Sequence, residues 1–454
     1  MEPPSDDLSS YKQNNLPRNT AQPQLYGSLS DPQSTTLQHR DSFISDQKTS
    51  QFLTTANIVK SFVGLGILAA PSGYQMVGFI PATLMILING AVNTYTVHLQ
   101  TKVKEAFDHD KVQTYTDLGL VCFGHKGEMG FALTILVNQI LTCSGYVKFF
   151  IEQLDLLSRE VKTNERTSSD EDGNKFAFYL MSIGILGVIG QFQSMKAVSY
   201  ISLVAIISIV TAIAYILFSD IDEIVNPTLN LSHKLCDLSG IPYFYGIASF
   251  MFEGNAVQLE IYSQMEKPQA LFTNALGNAL LFASWLIVLL GSLSYASYGQ
   301  FTYGVILLNL DPHISTYIVQ IIYSIGILCG YCLMIIPSLK ILKLFSLYKL
   351  IPDFQLFGFK KLKSKATRLC LVILCCSLAY NISDLGQFLN FQGSITGILM
   401  TYVFPIACYF KTMGLQGIQE RERYMCFGIL AYGVIGGVMS AGYAFQALIK
   451  INQD

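Results

Sequence analysis

Beyond residue 50 the chain alternates apolar blocks of about 18–28 residues with short polar breaks. A helix rises 1.5 Å per residue, so each block can cross ~30 Å of hydrocarbon. The pattern predicts about eleven spanning helices, near 53–75, 79–100, 129–151, 176–193, 197–218, 241–262, 271–297, 315–339, 367–383, 388–410 and 425–448. The expected fold class is therefore an all-α, multi-pass membrane protein with the lipid bilayer as its solvent. Residues 1–50 have no hydrophobic period and are rich in Ser, Gln, Asn, Asp and Pro. They read as a disordered cytosolic tail, and residues 51–450 as one transmembrane domain.

Composition supports the pattern. Of the 454 residues 51% are hydrophobic and 13% charged, against roughly 25% charged in ordinary soluble domains. With the tail in the cytosol, Lys102, Lys104, Lys111, Lys126 and the run "KKLKSKATR" at 360–368 all fall in cytosolic loops. The opposite loops hold few basic residues, and those after the third segment lie among acids ("SSDEDG", 168–173). This is the positive-inside pattern. The same topology puts the sequon "NLS" at Asn230 in an outer or luminal loop, a candidate for glycosylation. Cys236 has no evident partner there, so no disulfide is expected. The net charge of −2 gives no reason to expect nucleic acid. No HExxH, paired catalytic carboxylates or nucleophile elbow is present, so neither a metal, a cofactor nor an enzymatic activity is expected. Cys329 and Cys332 form a CxxC inside an apolar block, where packing is the expected role.

Two segments look broken. The first, "TTANIVKSFVGLGILAAPSGY", carries Gly64, Gly66 and Pro71; the sixth carries Gly246 and Gly254 around "SFMFEG". Unwinding inside a membrane is tolerated only where free backbone groups face protein or a water-filled cavity. The breaks open two blocks of five segments each, and an odd number per block makes the repeat inverted, with the last segment an addition. Freed N–H groups at a half-helix start attract a carboxylate, and freed carbonyls attract an ammonium or a cation. A free α-amino acid satisfies both. The same glycines also suit close helix packing, and the pattern alone leaves both readings open.

The stretches "NIVKSFVGLGILAAP" (57–71), "FMFEGNAVQLEIYSQMEKPQALF" (250–272), "IYSIGILCGYCLMIIPS" (322–338) and "GSITGILMTYVFPIACYF" (393–410) resemble the amino acid/auxin permease family, most of all its proton-coupled and vacuolar amino acid transporter branches. The resemblance covers about residues 50–448. It implies a LeuT-like fold, with a five-plus-five inverted repeat, broken first and sixth helices and one extra helix. It implies substrate contacts from Gly64, Leu65, Gly66 and Ile67 at the first break and from Phe250, Phe252, Glu253 and Gly254 at the second. Asn57 falls at a coupling position, where Asn is similar to the sodium-coupled branch. Yet "GILCGYCLM" in the eighth segment lacks the Ser or Thr that a sodium site of this fold uses.

The expectation is a secondary active amino acid symporter working by alternating access, with H⁺ as coupling ion and Na⁺ the alternative. A transceptor, sensing amino acids with little flux, is the rival class. A vacuolar or lysosomal membrane is favoured over the cell surface. Glu253, costly at mid-membrane, is expected to accept backbone N–H bonds at the break, with proton carriage second. Glu260 is expected to reach water or Lys267, Lys60 to snorkel, and Lys148 to pair with Glu152. Thr142 and Tyr146 read either as cavity lining or as hydrogen-bonders between helices.

Overall fold

The computed structural model describes residues 50–107, 111–161, 168–189, 195–227, 231–345 and 362–451. The tail, Asn230 and the first two residues of the basic run, Lys360 and Lys361, lie outside them. Every regular element among the described residues is helical. We number them α1 Gln51–Phe62, α2 Ala70–Val77, α3 Phe79–Ala106, α4 Tyr115–Val161, α5 Ser168–Ile189, α6 Met195–Val225, α7 Ile241–Met251, α8 Asn255–Gln264, α9 Pro268–Tyr298, α10 Ile314–Leu342, α11 Leu362–Tyr380, α12 Leu385–Gln392, α13 Phe404–Met413 and α14 Glu420–Ile451.

Each apolar stretch, as far as it is described, falls on one of these helices or on a consecutive pair; 190–193 lie outside the described residues. Among the described residues, seven helical stretches can cross a bilayer by length and apolarity alone, and the bent pair of α1 with Leu65–Val77 makes an eighth. Their outward faces are apolar. Leu203, Ile207 and Val210 on α6, Leu281 and Trp285 on α9, and Ile435 and Val438 on α14 are all exposed, as lipid-facing positions must be.

Two groups of helices pack internally. In one, α9 lies against α1, α2 and α3, with α7 and α8 beside them. In the other, α10 lies against α4 and α6, and α11 against α4 and α5. α7 also crosses α12 and α14. That crossing needs Gly246 and Gly393, because a methyl group on Gly393 would stand 2.0 Å from the Gly246 carbonyl oxygen. Gly246 therefore serves helix contact inside α7, and Gly254 alone belongs to the sixth segment's break. Between α12 and α13 the helix widens into two π-turns, Gly393–Gly397 and Leu399–Val403. Such turns interrupt the regular ladder and recur at functional sites.

Candidate functional site

The first segment breaks after Phe62. Val63 is extended (φ −96°, ψ 104°), and Gly64 is non-helical (φ −151°, ψ −146°). A 3₁₀ turn, Leu65–Ala69, then leads into α2, which starts with Pro71 in its first turn, where a missing N–H costs nothing. The two halves are bent by 51°. The opening N–H groups of that turn and the closing carbonyls of α1 have no helical partner.

The second break spans Phe252 to Gly254. Glu253 N donates to Phe250 O at 3.1 Å, and Gly254 N to Phe252 O at 3.1 Å. Side chains hold the rest. Asn93 Nδ2 of α3 donates to Phe252 O at 2.7 Å. Gln258 Nε2 donates to Gly254 O at 2.9 Å and to Ser61 Oγ of α1 at 2.8 Å. Glu253 does not hold this backbone, contrary to the expectation from sequence. Both its carboxylate oxygens are buried without a hydrogen-bond partner. The amide side chains of Asn93 and Gln258 take that role because they can donate to carbonyls, which an ionised carboxylate cannot.

The breaks meet. A methyl group on Gly66 would stand 3.2 Å from Met251 Cα and 3.1 Å from the Phe250 ring, and one on Gly254 would stand 2.6 Å from the Phe62 ring. Tyr146 of α4 closes the third side. Its hydroxyl lies 3.9 Å from a methyl placed on Gly64, its ring packs on Gly330 of α10, and it is within electrostatic reach of Glu253. Gly64, Leu65, Gly66, Ile67, Phe250, Glu253 and Gly254 are thus brought to one region. The Phe252 ring packs beside Phe62 (centroids 6.5 Å apart) and towards Gly90. Asn57 is half-buried on α1, before the break.

Sequence reading missed Asn93, Asn255 and Gln258. Asn255 opens α8, is wholly buried, and neither its Oδ1 nor its Nδ2 has a partner. Asn93 Oδ1 and Gln258 Oε1 are likewise unpartnered. Buried polar atoms normally find partners, so a group of them at one break points to a ligand or an ion. The available signal was an amide inside an otherwise apolar block. Thr142 is an interhelical hydrogen-bonder, accepting from Gln392 Nε2 at 2.7 Å. Lys148 and Glu152 pair at 3.5 Å. Glu260 has Lys340 of α10 as its Coulombic partner rather than Lys267.

The loops at the far ends of α2, α6 and α9 close over this region. Gln75 Nε2 donates to Gln300 O at 2.7 Å, and Gly304 packs against Gly386 at the start of α12. A cavity of about 510 Å³ lies on that side, lined by Gln75, Glu223, Tyr298, Tyr303, Asn309 and Asp311 among others. It is separate from the breaks.

The profile of a family described as "Transmembrane amino acid transporter protein" matches residues 47–449. The chain belongs to this family. The transporter is 25% identical over 383 residues to Amino acid transporter ANT1 of Arabidopsis thaliana, covering 81% of this chain and 86% of that one. It is 25% identical to Vacuolar amino acid transporter 3 of Schizosaccharomyces pombe, over 83% of this chain and 56% of that one. With Vacuolar amino acid transporter 3 of Saccharomyces cerevisiae it shares 24% identity, over 88% and 57%. It thus spans little more than half the length of these two yeast relatives. Among solved structures it is similar to Mhp1, a nucleobase-cation-symport-1 family transporter in a closed conformation with bromovinylhydantoin bound (TM-score 0.53, 11% identity, 90% of this chain and 94% of that one). The inward-facing conformation of Mhp1 gives the same TM-score, 0.53, at 12% identity. The fold is that of LeuT-like transporters, with both breaks in place, in a multi-pass membrane protein whose relatives are named transporters rather than enzymes.

Proposed function

We propose that the protein is a secondary active transporter that carries free amino acids by alternating access and is coupled to protons. The observation that carries this reading is the meeting of two broken helices around unsatisfied groups of opposite character. The opening N–H groups at Leu65 and Gly66 suit a substrate carboxylate. The unpartnered carboxylate of Glu253 and the closing carbonyls of α1 suit an ammonium. Such charge complementarity selects a zwitterion over a sugar or a nucleobase. In this reading α1, α2, α3, α7, α8 and α9 move together against α4, α5, α10 and α11. The loop contacts Gln75–Gln300 and Gly304–Gly386 form the outer gate.

Proton coupling is favoured because Glu253 is the only carboxylate at the breaks and has no partner among the described residues. Relatives named vacuolar support a vacuolar or lysosomal membrane, with the tail in the cytosol. The test is uptake of labelled amino acids into proteoliposomes of known orientation, under a pH gradient, a Na⁺ gradient or none. Accumulation driven by the pH gradient is expected. Accumulation driven only by Na⁺ overturns the coupling ion. Saturable binding without flux under any gradient overturns transport in favour of the sensor.

A further inference from the structure

Away from the breaks, Asp220 lies on α6 about one turn from the helix end. It is completely buried. Ser294 Oγ of α9 donates to its Oδ2 at 2.5 Å, while Oδ1 has no partner. Ser297 Oγ, one turn further along α9, donates to the backbone carbonyl of the same residue at 2.9 Å. Asp220 is therefore the joint between α6 and α9, which belong to different helix groups. On the elements packed at this end, α6 contributes Tyr215, Asp222 and Glu223, α9 contributes Tyr295 and Tyr298, the following loop Asp311 and His313, and α10 Tyr317. Tyr298 is within electrostatic reach of Asp220, Glu223 and Asp311 at once. No cation among the described residues is a charge partner of Asp220. Tyr298, Glu223 and Asp311 all line the 510 Å³ cavity at this end.

We infer that Asp220 is a proton-binding site of the transporter, loaded from this outer cavity, whose occupancy sets the strength of the α6–α9 joint. The inference rests on the proposed proton coupling and adds a second carboxylate to it. A wholly buried carboxylate held by one hydroxyl leaves a charge uncompensated, which proteins strongly disfavour. A proton on Oδ1 removes that charge and keeps the Ser294 bond. A divalent metal ion does not fit. Divalent cations gather about six oxygen ligands, several of them carboxylates, and no group of three or more His, Cys, Asp or Glu that could hold a metal ion is found among the described residues. Losing the proton would leave an uncompensated charge buried between α6 and α9, which favours opening the contact to water. Acid on the outer side thus holds the joint, and loss of the proton frees it.

The test compares wild type with Asp220→Asn, which keeps the shape and cannot titrate. Two readouts are taken on purified full-length protein. One is uptake of a labelled amino acid mixture as the outer-side pH is varied. The other is infrared difference spectroscopy of the protonated-carboxyl band across the same pH range. Wild-type uptake should follow outer pH, and Asp220→Asn should lose that dependence together with one carboxyl band. An unchanged pH profile and an unchanged band in Asp220→Asn overturn the inference. Should Asp220→Asn fail to fold, Ser294→Ala serves, because removing the one hydrogen bond must shift the pH profile and the band; no shift overturns the inference. Failure of wild type to transport under any gradient overturns the proposed function instead, while the infrared band still reports whether Asp220 binds a proton.

Discussion

The side-chain amide of Asn93 on α3 holds the backbone carbonyl of Phe252 at 2.7 Å, at the point where the sixth segment unwinds. Both residues are buried. The bond fixes the second break to a neighbouring helix instead of leaving its shape to the unwound chain. Replacing Asn93 with Ala orphans a buried carbonyl, which costs about 1–3 kcal/mol. Asn93→Ala should therefore lower the thermal midpoint in detergent and weaken substrate binding together. An unchanged midpoint would show that the carbonyl finds another donor.

Gly254 and Phe62 make the matching contact between the two breaks. A methyl group on Gly254 would lie 2.6 Å from the Phe62 ring, closer than packed atoms approach. Overpacking of this kind costs roughly 1–3 kcal/mol. Gly254→Ala is expected to reduce transport, and Phe62→Leu in the same protein should recover part of the loss by making room. A double-mutant cycle on the thermal midpoint measures the coupling; strictly additive effects would mean that the ring and the glycine do not meet in the working protein.

The breaks themselves were legible because their cause is local: Gly64, Gly66 and Gly254 interrupt apolar runs that otherwise fit a bilayer. The helices were legible for the same reason. What holds the breaks was not. Asn93 lies 159 positions from Phe252, and nothing in its own segment marks which of several amides faces a broken backbone. Glu253 was expected to do that work because it is adjacent in sequence. The structure gives it to donors from α3 and α8, since the groups needing partners there are carbonyls. Gly246 was grouped with the break by its spacing, yet its place is set by α12, a helix more than 130 residues further on. Phe252 matches the motif, and its ring packs beside Phe62 and Gly90.

The loop at residues 234–240 should not open in an acidic compartment. Asp237 accepts from Ser239 Oγ at 2.6 Å and from Lys234 Nζ at 2.9 Å, while its own N donates to Val77 O at 2.8 Å. The Ser239 hydroxyl and the Lys234 ammonium hold its carboxyl down, at about 2. A lowered folded value means that its stabilising effect is complete above the ordinary carboxylate range, near 4, and is lost only as pH falls through about 2. At roughly pH 5, as in acidic organelles, Asp237 stays ionised. Hydrogen exchange of residues 234–240 should show equal protection at pH 7 and pH 5 after correction for intrinsic rates. Asp237→Asn should lose protection at both. Protection that drops between pH 7 and pH 5 in wild type would point to another titrating group in the loop.

Glu253→Gln separates the two roles that the unpartnered carboxylate can play. Both oxygens are buried beside the meeting point of the breaks, so the side chain can receive a proton, an ammonium, or each in turn. Gln keeps the size and removes the charge. If Glu253 binds the substrate ammonium, the variant should raise the KM for every amino acid while uptake still follows the pH gradient. If it carries the coupling proton, the gradient should no longer drive accumulation, and exchange of internal for external amino acid should persist. Proton coupling through Glu253 predicts the second result. Full uptake with wild-type KM and wild-type pH dependence would remove Glu253 from both roles and leave the Asn255 and Gln258 amides as the polar groups of the second break. Uptake is measured in proteoliposomes with and without the gradient, and counterflow with equal pH on both sides.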